Sequence, residues 1–354
     1  MNRSAVSFAL LSAALFGLST PAAKVLLGAI SPALLAGLLY LGAGIGVAIL
    51  RRLPLPVGKP EAPLSRADMP WLGGAVFAGG VVGPVLLMLG LARTDAVAAS
   101  LLLTLEGAAT VLIAWFVFQE NFDRRIAAGM LCLVAGAAVL SWSGQPTFDT
   151  LIGPLAIVGA CVAWGLDNNF TRKVSLADPL QIVQIKGLVA GPLNIAVGLA
   201  AGGSLPDGLA AAAAGLVGFL GYGVSLAFFV VALRHLGAAR TGAYFSTAPF
   251  VGAVAAVVAL SEPVTIQLVA AGTLMGLGVW LHLTEHHEHE HTHERVSHAH
   301  AHVHDEHHRH AHGPGDPAGE PHTHVHKHGG LRHSHPHAPD MHHQHGHQTQ
   351  NGRT

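Results

Sequence analysis

Charge is what this sequence has least of. Only 11% of its 354 residues are charged, while 51% are hydrophobic. That is too little charge to cover a water-soluble chain of this length, so lipid is the expected main solvent. Cysteine is nearly absent. Cys132 and Cys161 both fall inside apolar runs, where the ordinary reading is a small buried residue with no redox or metal role. No cleavable signal peptide is expected: the apolar run after Arg3 is too long for one, and similar runs continue along the chain. No Ser-His-Asp, Cys-His or His-Glu-x-x-His constellation sits at a helix end, so an enzyme is not expected.

What is present divides at Glu285. Residues 1–284 carry 14 Lys and Arg and 11 Asp and Glu, whereas the last 70 residues hold 24 of the 26 histidines. The formal net charge of −1 averages these two unlike parts and decides nothing about partners.

A bilayer crossing needs about 20 mostly apolar residues. Ten candidates occur, near 5–28, 32–50, 71–92, 96–118, 126–142, 151–171, 180–201, 210–233, 241–260 and 265–283. A soluble bundle would show a polar face on each helix, and stretches such as 95–105 and 250–260 have almost none. Lys and Arg concentrate in cytoplasmic loops. With the N-terminus inside, Arg3, Arg51, Arg52, Lys59, Arg66, Arg124, Arg125, Arg172, Lys173, Arg234 and Arg240 are all cytoplasmic, and only Arg93 is external. Both termini are therefore expected in the cytoplasm, with the chain in the inner (plasma) membrane of a bacterium.

The chain also resembles itself. An offset of 142 aligns Gly73 with Gly215, Gly79 with Gly221, Leu91 with Leu233 and Glu120 with Glu262. An offset of 148 aligns Gly17-Leu18 with Gly165-Leu166, and Lys24 with Arg172. Each half holds five spans, an odd number, so the second half enters the membrane in the opposite sense. Inverted repeats of this kind recur in secondary transporters, with the solute site between the halves near the midplane. The expected fold is an all-α integral membrane protein of ten transmembrane helices in two inverted five-helix repeats, 1–145 and 146–284, followed by a disordered His-rich cytoplasmic tail, 285–354.

These residues resemble the EamA family of the drug/metabolite transporter superfamily. The likeness rests on Leu15-Phe16-Gly17 followed by Lys24, and on Ala163-Trp164-Gly165 followed by Arg172. It extends through Thr104-Leu105-Glu106-Gly107 to Phe118-Gln119-Glu120, and through Thr247-Ala248-Pro249 to Leu260-Ser261-Glu262. The family pattern often carries Glu-Pro in the fourth and ninth spans. Here Glu106 precedes Gly107 and Ala248 precedes Pro249, so the pair is split between the halves. The resemblance implies transport, by alternating access and most simply as export, of a small metabolite or drug-like solute.

Ionisable residues inside a bilayer are costly and point to function. Lys24, Glu106, Asp167 and Lys186 qualify. Asp167 lies roughly 8 Å from the inner end of the sixth span and Lys186 roughly 9 Å from the inner end of the seventh, at about 1.5 Å per residue. An ion pair or a shared solute contact is allowed; so is a Lys186 that snorkels to the interface. Glu106, mid-span, reads either as a proton-coupling group or amine binder, or as a carboxyl hydrogen-bonded within the bundle. Lys24 lies near an outer end, where snorkelling also serves. Asn168, Tyr40 and Tyr222 add polar points along the path, and Pro249 can free carbonyls for a ligand. Asp167, Asn168 and Asn169 cannot all face one cavity, since successive helical residues point about 100° apart. The glycines at 73, 79, 83, 90, 215, 218, 221 and 223 read as close helix packing or as room for a cavity. Glu120 and Glu262 each open the helix that follows, a structural role at its positive end.

The tail has too few apolar residues to bury a core. His286, His287, His289, His291, His293, His298, His300, His302, His304, His307, His308 and His310 offer imidazoles at close and alternating spacing, suited to Zn, Ni, Co or Cu ions. The tail reads as a metal buffer or sensor, as a pH-sensitive polycation with about a quarter of its imidazoles charged at pH 7, or as a neutral extension. No cofactor is required. Expected partners are the lipid bilayer, a small-molecule solute, divalent metal ions on the tail and a second copy in a homodimer, with no nucleic acid. The alternative function is divalent metal (Zn, Ni, Co) homeostasis with the tail as its centre.

Overall fold

The computed structural model describes residues 3–53, 64–118, 124–142, 148–174, 177–236 and 238–283, with four tail segments, 287–292, 297–302, 322–327 and 332–337. Its membrane part is wholly helical: α1 Arg3–Leu26, α2 Pro32–Leu50, α3 Arg66–Ala92, α4 Ala96–Val117, α5 Arg124–Ser141, α6 Phe148–Lys173, α7 Pro179–Ala200, α8 Gly208–Ala232, α9 across 238–260, and α10 Ile266–Leu283. Seven of these segments are long and apolar enough to cross a membrane, and three shorter apolar helices accompany them. Large apolar side chains cover the outside, with Leu131 71% exposed, Val258 77% and Ile266 90%. In water those faces would drive aggregation; in lipid they need no partner.

Local chemistry starts several helices. Asp178 precedes Pro179 at the head of α7, and its Oδ1 accepts from Leu180 N at 2.9 Å. Asp207 does the same for α8, accepting from Ala210 N at 2.8 Å. Such oxygens take up backbone donors that a helix leaves unpaired. Arg51 pairs with Asp178 at 3.0 Å, tying the C-terminal end of α2 to the start of α7.

The halves interlock. Helix α1 packs on α8 and α9 of the second half, and α6 packs on α3 and α4 of the first. Helices α2 and α7 pair across the middle, and α5 pairs with α10. Exchanging the halves leaves this list unchanged, as an inverted repeat requires. At the close crossings glycine is obligatory in places: a Cβ on Gly218 would overlap the Leu39 carbonyl of α2. Gly73 and Gly215 instead face open space, so one stripe serves both packing and room.

Two pairs of helices depart from regular geometry at matching places. Helices α3 and α8 each contain a π-helical stretch, Val76–Val82 and Phe219–Val224. Helix α4 is interrupted at Leu103 and Thr104, and α9 at Ser246 and Thr247. At both interruptions a threonine hydroxyl satisfies the carbonyl three residues back, Thr104 to Leu101 at 2.8 Å and Thr247 to Tyr244 at 2.7 Å.

In the tail, His287–Thr292 (β1) pairs antiparallel with Arg332–His337 (β4), and Ser297–His302 (β2) with His322–Lys327 (β3). Histidine alternating with other residues has the period of an extended strand. Two-stranded ladders without an apolar face are marginal in water. His286, His293, His304, His307, His308 and His310 lie outside the described residues, as do Glu120 and the side chain of Arg172.

Candidate functional site

The site begins at the π-helical turn of α3. A π turn widens the helix and takes carbonyls out of the ordinary ladder, and here side chains of three other helices collect them. Tyr40 Oη of α2 donates to Gly79 O at 2.7 Å, and Trp164 Nε1 of α6 donates to the same oxygen at 3.0 Å. Asn194 Nδ2 of α7 donates to Gly80 O at 2.9 Å. Beside this turn lies the ion pair: Lys186 Nζ donates to Asp167 Oδ1 at 2.6 Å and Oδ2 at 2.5 Å. Thr171 Oγ1 adds a bond to Asp167 Oδ1 at 2.9 Å. The pair is buried, and Gly79 is what admits it, since a Cβ there would overlap the carboxylate.

One residue on, Asn168 turns to α4. Its Nδ2 donates to Glu106 Oε1 at 3.0 Å and to Thr110 Oγ1 at 3.1 Å. Asn169 turns again, donating to Thr110 O at 3.1 Å and to its own helix at Gly165 O, 2.8 Å. The three consecutive polar residues therefore serve three directions, as helical geometry demands. Asn168, Gly107 and Thr247 are exposed although each lies within a span, and nothing stands within 4 Å of a Cβ built on Gly107. Tyr222 sits in the π-helical stretch of α8, its ring centroid 5.8 Å from that of Tyr40 and 5.6 Å from that of Phe16.

The two halves are alike in form and unlike in charge. Gly221, the repeat-mate of Gly79, presses on Ser19, with a built Cβ 2.6 Å from the serine Cβ. Ser19 stands 148 residues before Asp167, so the contact recurs with a hydroxyl where the second half places a carboxylate.

The structure thus brings Tyr40, Glu106, Asp167, Asn168, Lys186 and Tyr222 together. Lys24 is held by other partners: its Nζ donates to Leu91 O at 2.7 Å and Thr94 O at 2.9 Å. A cation there complements the negative end of α3. Pro249 opens the second segment of α9. Trp164, Thr110, Asn169 and Asn194 add to the hydrogen bonding. Thr110 had no sequence signal; the Gly79-Gly80 doublet was the available hint of a distorted turn.

Glu262 corrects its expected role. Its Oε1 and Oε2 accept from Ala96 N and Val97 N, each at 2.7 Å, so it caps α4 of the other half and not the helix that follows it. Gln267 likewise donates to Trp142 O at 2.7 Å, at the C-terminal end of α5. Glu262→Ala is expected to lower stability by about 1 kcal/mol, measured as unfolding free energy in detergent micelles. An unchanged value would mean that water caps α4 equally well.

Two interlocked halves of opposite sense, closed around a polar cluster inside the spans, define a multi-pass membrane transport protein. The chain belongs to the EamA-like transporter family, whose model matches residues 3–142 and again 151–284. It is 28% identical over 284 residues to a protein of Methanothermobacter thermautotrophicus described as an uncharacterized transporter, with 75% of this chain and 82% of that protein covered. A crystal structure of a protein 20% identical to this one superposes with a TM-score of 0.57, covering 79% of this chain and 96% of the other; this shows likeness of fold.

Proposed function

We propose that the chain is a secondary transporter that exports a small metabolite or drug-like solute by alternating access. Tyr40, Glu106, Asp167, Asn168, Lys186 and Tyr222 form its solute site, and both termini are cytoplasmic. The observation that carries this is the assembly of one polar cluster from α2 and α4 of the first half and α6, α7 and α8 of the second, at turns already freed from regular helix. Helices interrupted at a binding site can exchange carbonyl partners with a solute at little cost. Everted membrane vesicles test the direction. Solute accumulates inside them if the protein exports, and accumulation in intact cells overturns the proposal.

The tail is proposed to hold divalent metal in the cytoplasm. Its register supports this, setting His287, His289 and His291 opposite His337, His335 and His333, and His298, His300 and His302 opposite His326, His324 and His322. The same register favours the second reading, metal homeostasis centred on the tail. Removing residues 285–354 separates the two. The first reading expects solute efflux within about twofold of the full chain, with loss only of zinc bound per protein on equilibrium dialysis; the second expects metal tolerance of the cells to collapse.

A further inference from the structure

The first half carries a groove that the solute site does not use. Helix α5 packs on α10 and meets α4 only in part, which leaves a cavity of about 420 Å³ between α4, α5 and α6. Its walls are stripes that recur every three or four residues, such as Leu151, Leu155, Val158 and Val162 on α6. A stripe of that period runs along one face of a helix, so the cavity is long and parallel to the helices. It starts where α5 ends at Ser141 and where α6 begins. From Leu151 to Val162 is about 16 Å at a rise of about 1.5 Å per residue, about half of a hydrocarbon core of roughly 30 Å. The groove therefore reaches from one membrane surface to the midplane, the depth of a single leaflet.

Its chemistry names the occupant. The lining is apolar throughout, save the hydroxyl of Ser141 at the mouth and the thiol of Cys161, which already donates to Leu102 O at 3.6 Å. Water would find too few partners there. No basic or aromatic side chain lines the groove to hold a headgroup or a flat ring. Val134, Leu155 and Val162 on its walls are exposed, so it opens sideways to lipid. Its inner end is shut off from the polar cluster. Gly165 of α6 lies so close to Ala109 and Thr110 of α4 that a built Cβ stands 3.0 Å from their backbone. We infer that the groove is a seat for one acyl chain of a membrane phospholipid, in the outer leaflet under the orientation proposed above. The headgroup stays at the surface and is not recognised. The seated chain fills the space between α4 and α6 beside their close crossing, which lies one helical turn before Asn168. This goes beyond the transport reading and holds whether or not a solute crosses.

The test uses the full chain in digitonin micelles, whose rigid steroid cannot follow a narrow groove. The probe is a photoreactive phosphatidylcholine with a diazirine midway along one chain, added at a low ratio so that no bulk bilayer remains. Burying even a few methylene groups is worth at least about tenfold in occupancy. Labelling of α6 over 151–162 should therefore exceed, by that factor, labelling of α10 over 266–277, where Ile266, Val269 and Leu277 are exposed. Unlabelled dioleoyl phosphatidylcholine and dioleoyl phosphatidylglycerol should compete equally. Dihexanoyl phosphatidylcholine, whose chains stop short of the midplane, should not compete at the same concentration. Ala138→Phe and Val158→Phe, which fill the groove from two helices, should each lower labelling at least about tenfold; Val258→Phe, on an exposed face of α9, should leave it unchanged. Thermal unfolding needs no variant: dioleoyl phosphatidylcholine should raise the midpoint of the delipidated full chain, and the dihexanoyl lipid should not. The inference is overturned if α6 is labelled no more than α10, or if a photoreactive fatty acid labels the groove and the phospholipid does not. It is overturned equally by filled variants that still unfold cooperatively and keep their labelling, or by a strong preference for one headgroup. None of these measurements involves transport, so their failure leaves the solute reading untouched, and failure of efflux in vesicles leaves the acyl-chain seat untouched.

Discussion

Lys186→Met is expected to destabilise the protein by about 3–5 kcal/mol and to abolish transport. The ammonium it removes holds both oxygens of Asp167, and the two side chains are only 14% and 8% exposed. Breaking a buried pair costs this much because the surviving charge loses its partner where no water can replace it. Thr171 Oγ1 remains on the carboxylate at 2.9 Å, but one hydroxyl cannot balance a full charge. Asp167→Asn should cost less, since its amide oxygen still accepts from Lys186. The double variant Asp167→Asn, Lys186→Met leaves no charge and should regain at least half of the Lys186→Met loss. Chemical unfolding in micelles measures all three. Losses that simply add would show that the two groups do not act as a pair.

This pair was within reach of the sequence because depth in a bilayer can be counted. Two charged residues on successive helices, at the same distance from the same interface, have few other partners. The ten apolar helices and the opposite sense of the halves were legible for a related reason: lipid calls for long apolar helices, and an odd number per repeat forces inversion. Residues whose role depends on irregular backbone were not legible. The carbonyl of Gly79 binds Tyr40 and Trp164 only because α3 widens into a π turn, and the Gly79-Gly80 doublet is the one local hint of that turn. Glu262 misled for a different reason. Its place before a helix start is a strong local signal, yet its carboxylate reaches the head of α4, whose first residue lies 166 positions earlier. Lys24 reads from the sequence as a cation near a helix end, and the carbonyls that hold it, of Leu91 and Thr94, lie 67 and 70 residues away. In each case a local rule competed with a long-range backbone partner, and the long-range partner prevailed.

The same physics makes glycine substitutions discriminating. Gly79→Ala adds one methyl group, yet at this position it would overlap the Asp167 carboxylate. The carboxylate cannot simply swing away, because Lys186 and Thr171 hold it in place. Either the ion pair breaks or α3 and α6 separate, and overpacking of this kind costs about 1–3 kcal/mol. The effect on transport should be larger than the effect on stability. Displacing α6 moves Trp164 off Gly79 O and shifts Asn168 against Glu106, so the donors to Gly79 O and to Glu106 both change place. Gly73→Ala is the matched control, on the same helix with nothing within 4 Å of the added atom. It should be neutral in transport and slightly stabilising, since alanine restricts the unfolded chain more than glycine does. Transport at saturating solute and unfolding in micelles, measured for both variants, decide the matter. If Gly79→Ala transports as well as Gly73→Ala, the contact between the π turn of α3 and the Asp167–Lys186 pair has no part in the transport cycle.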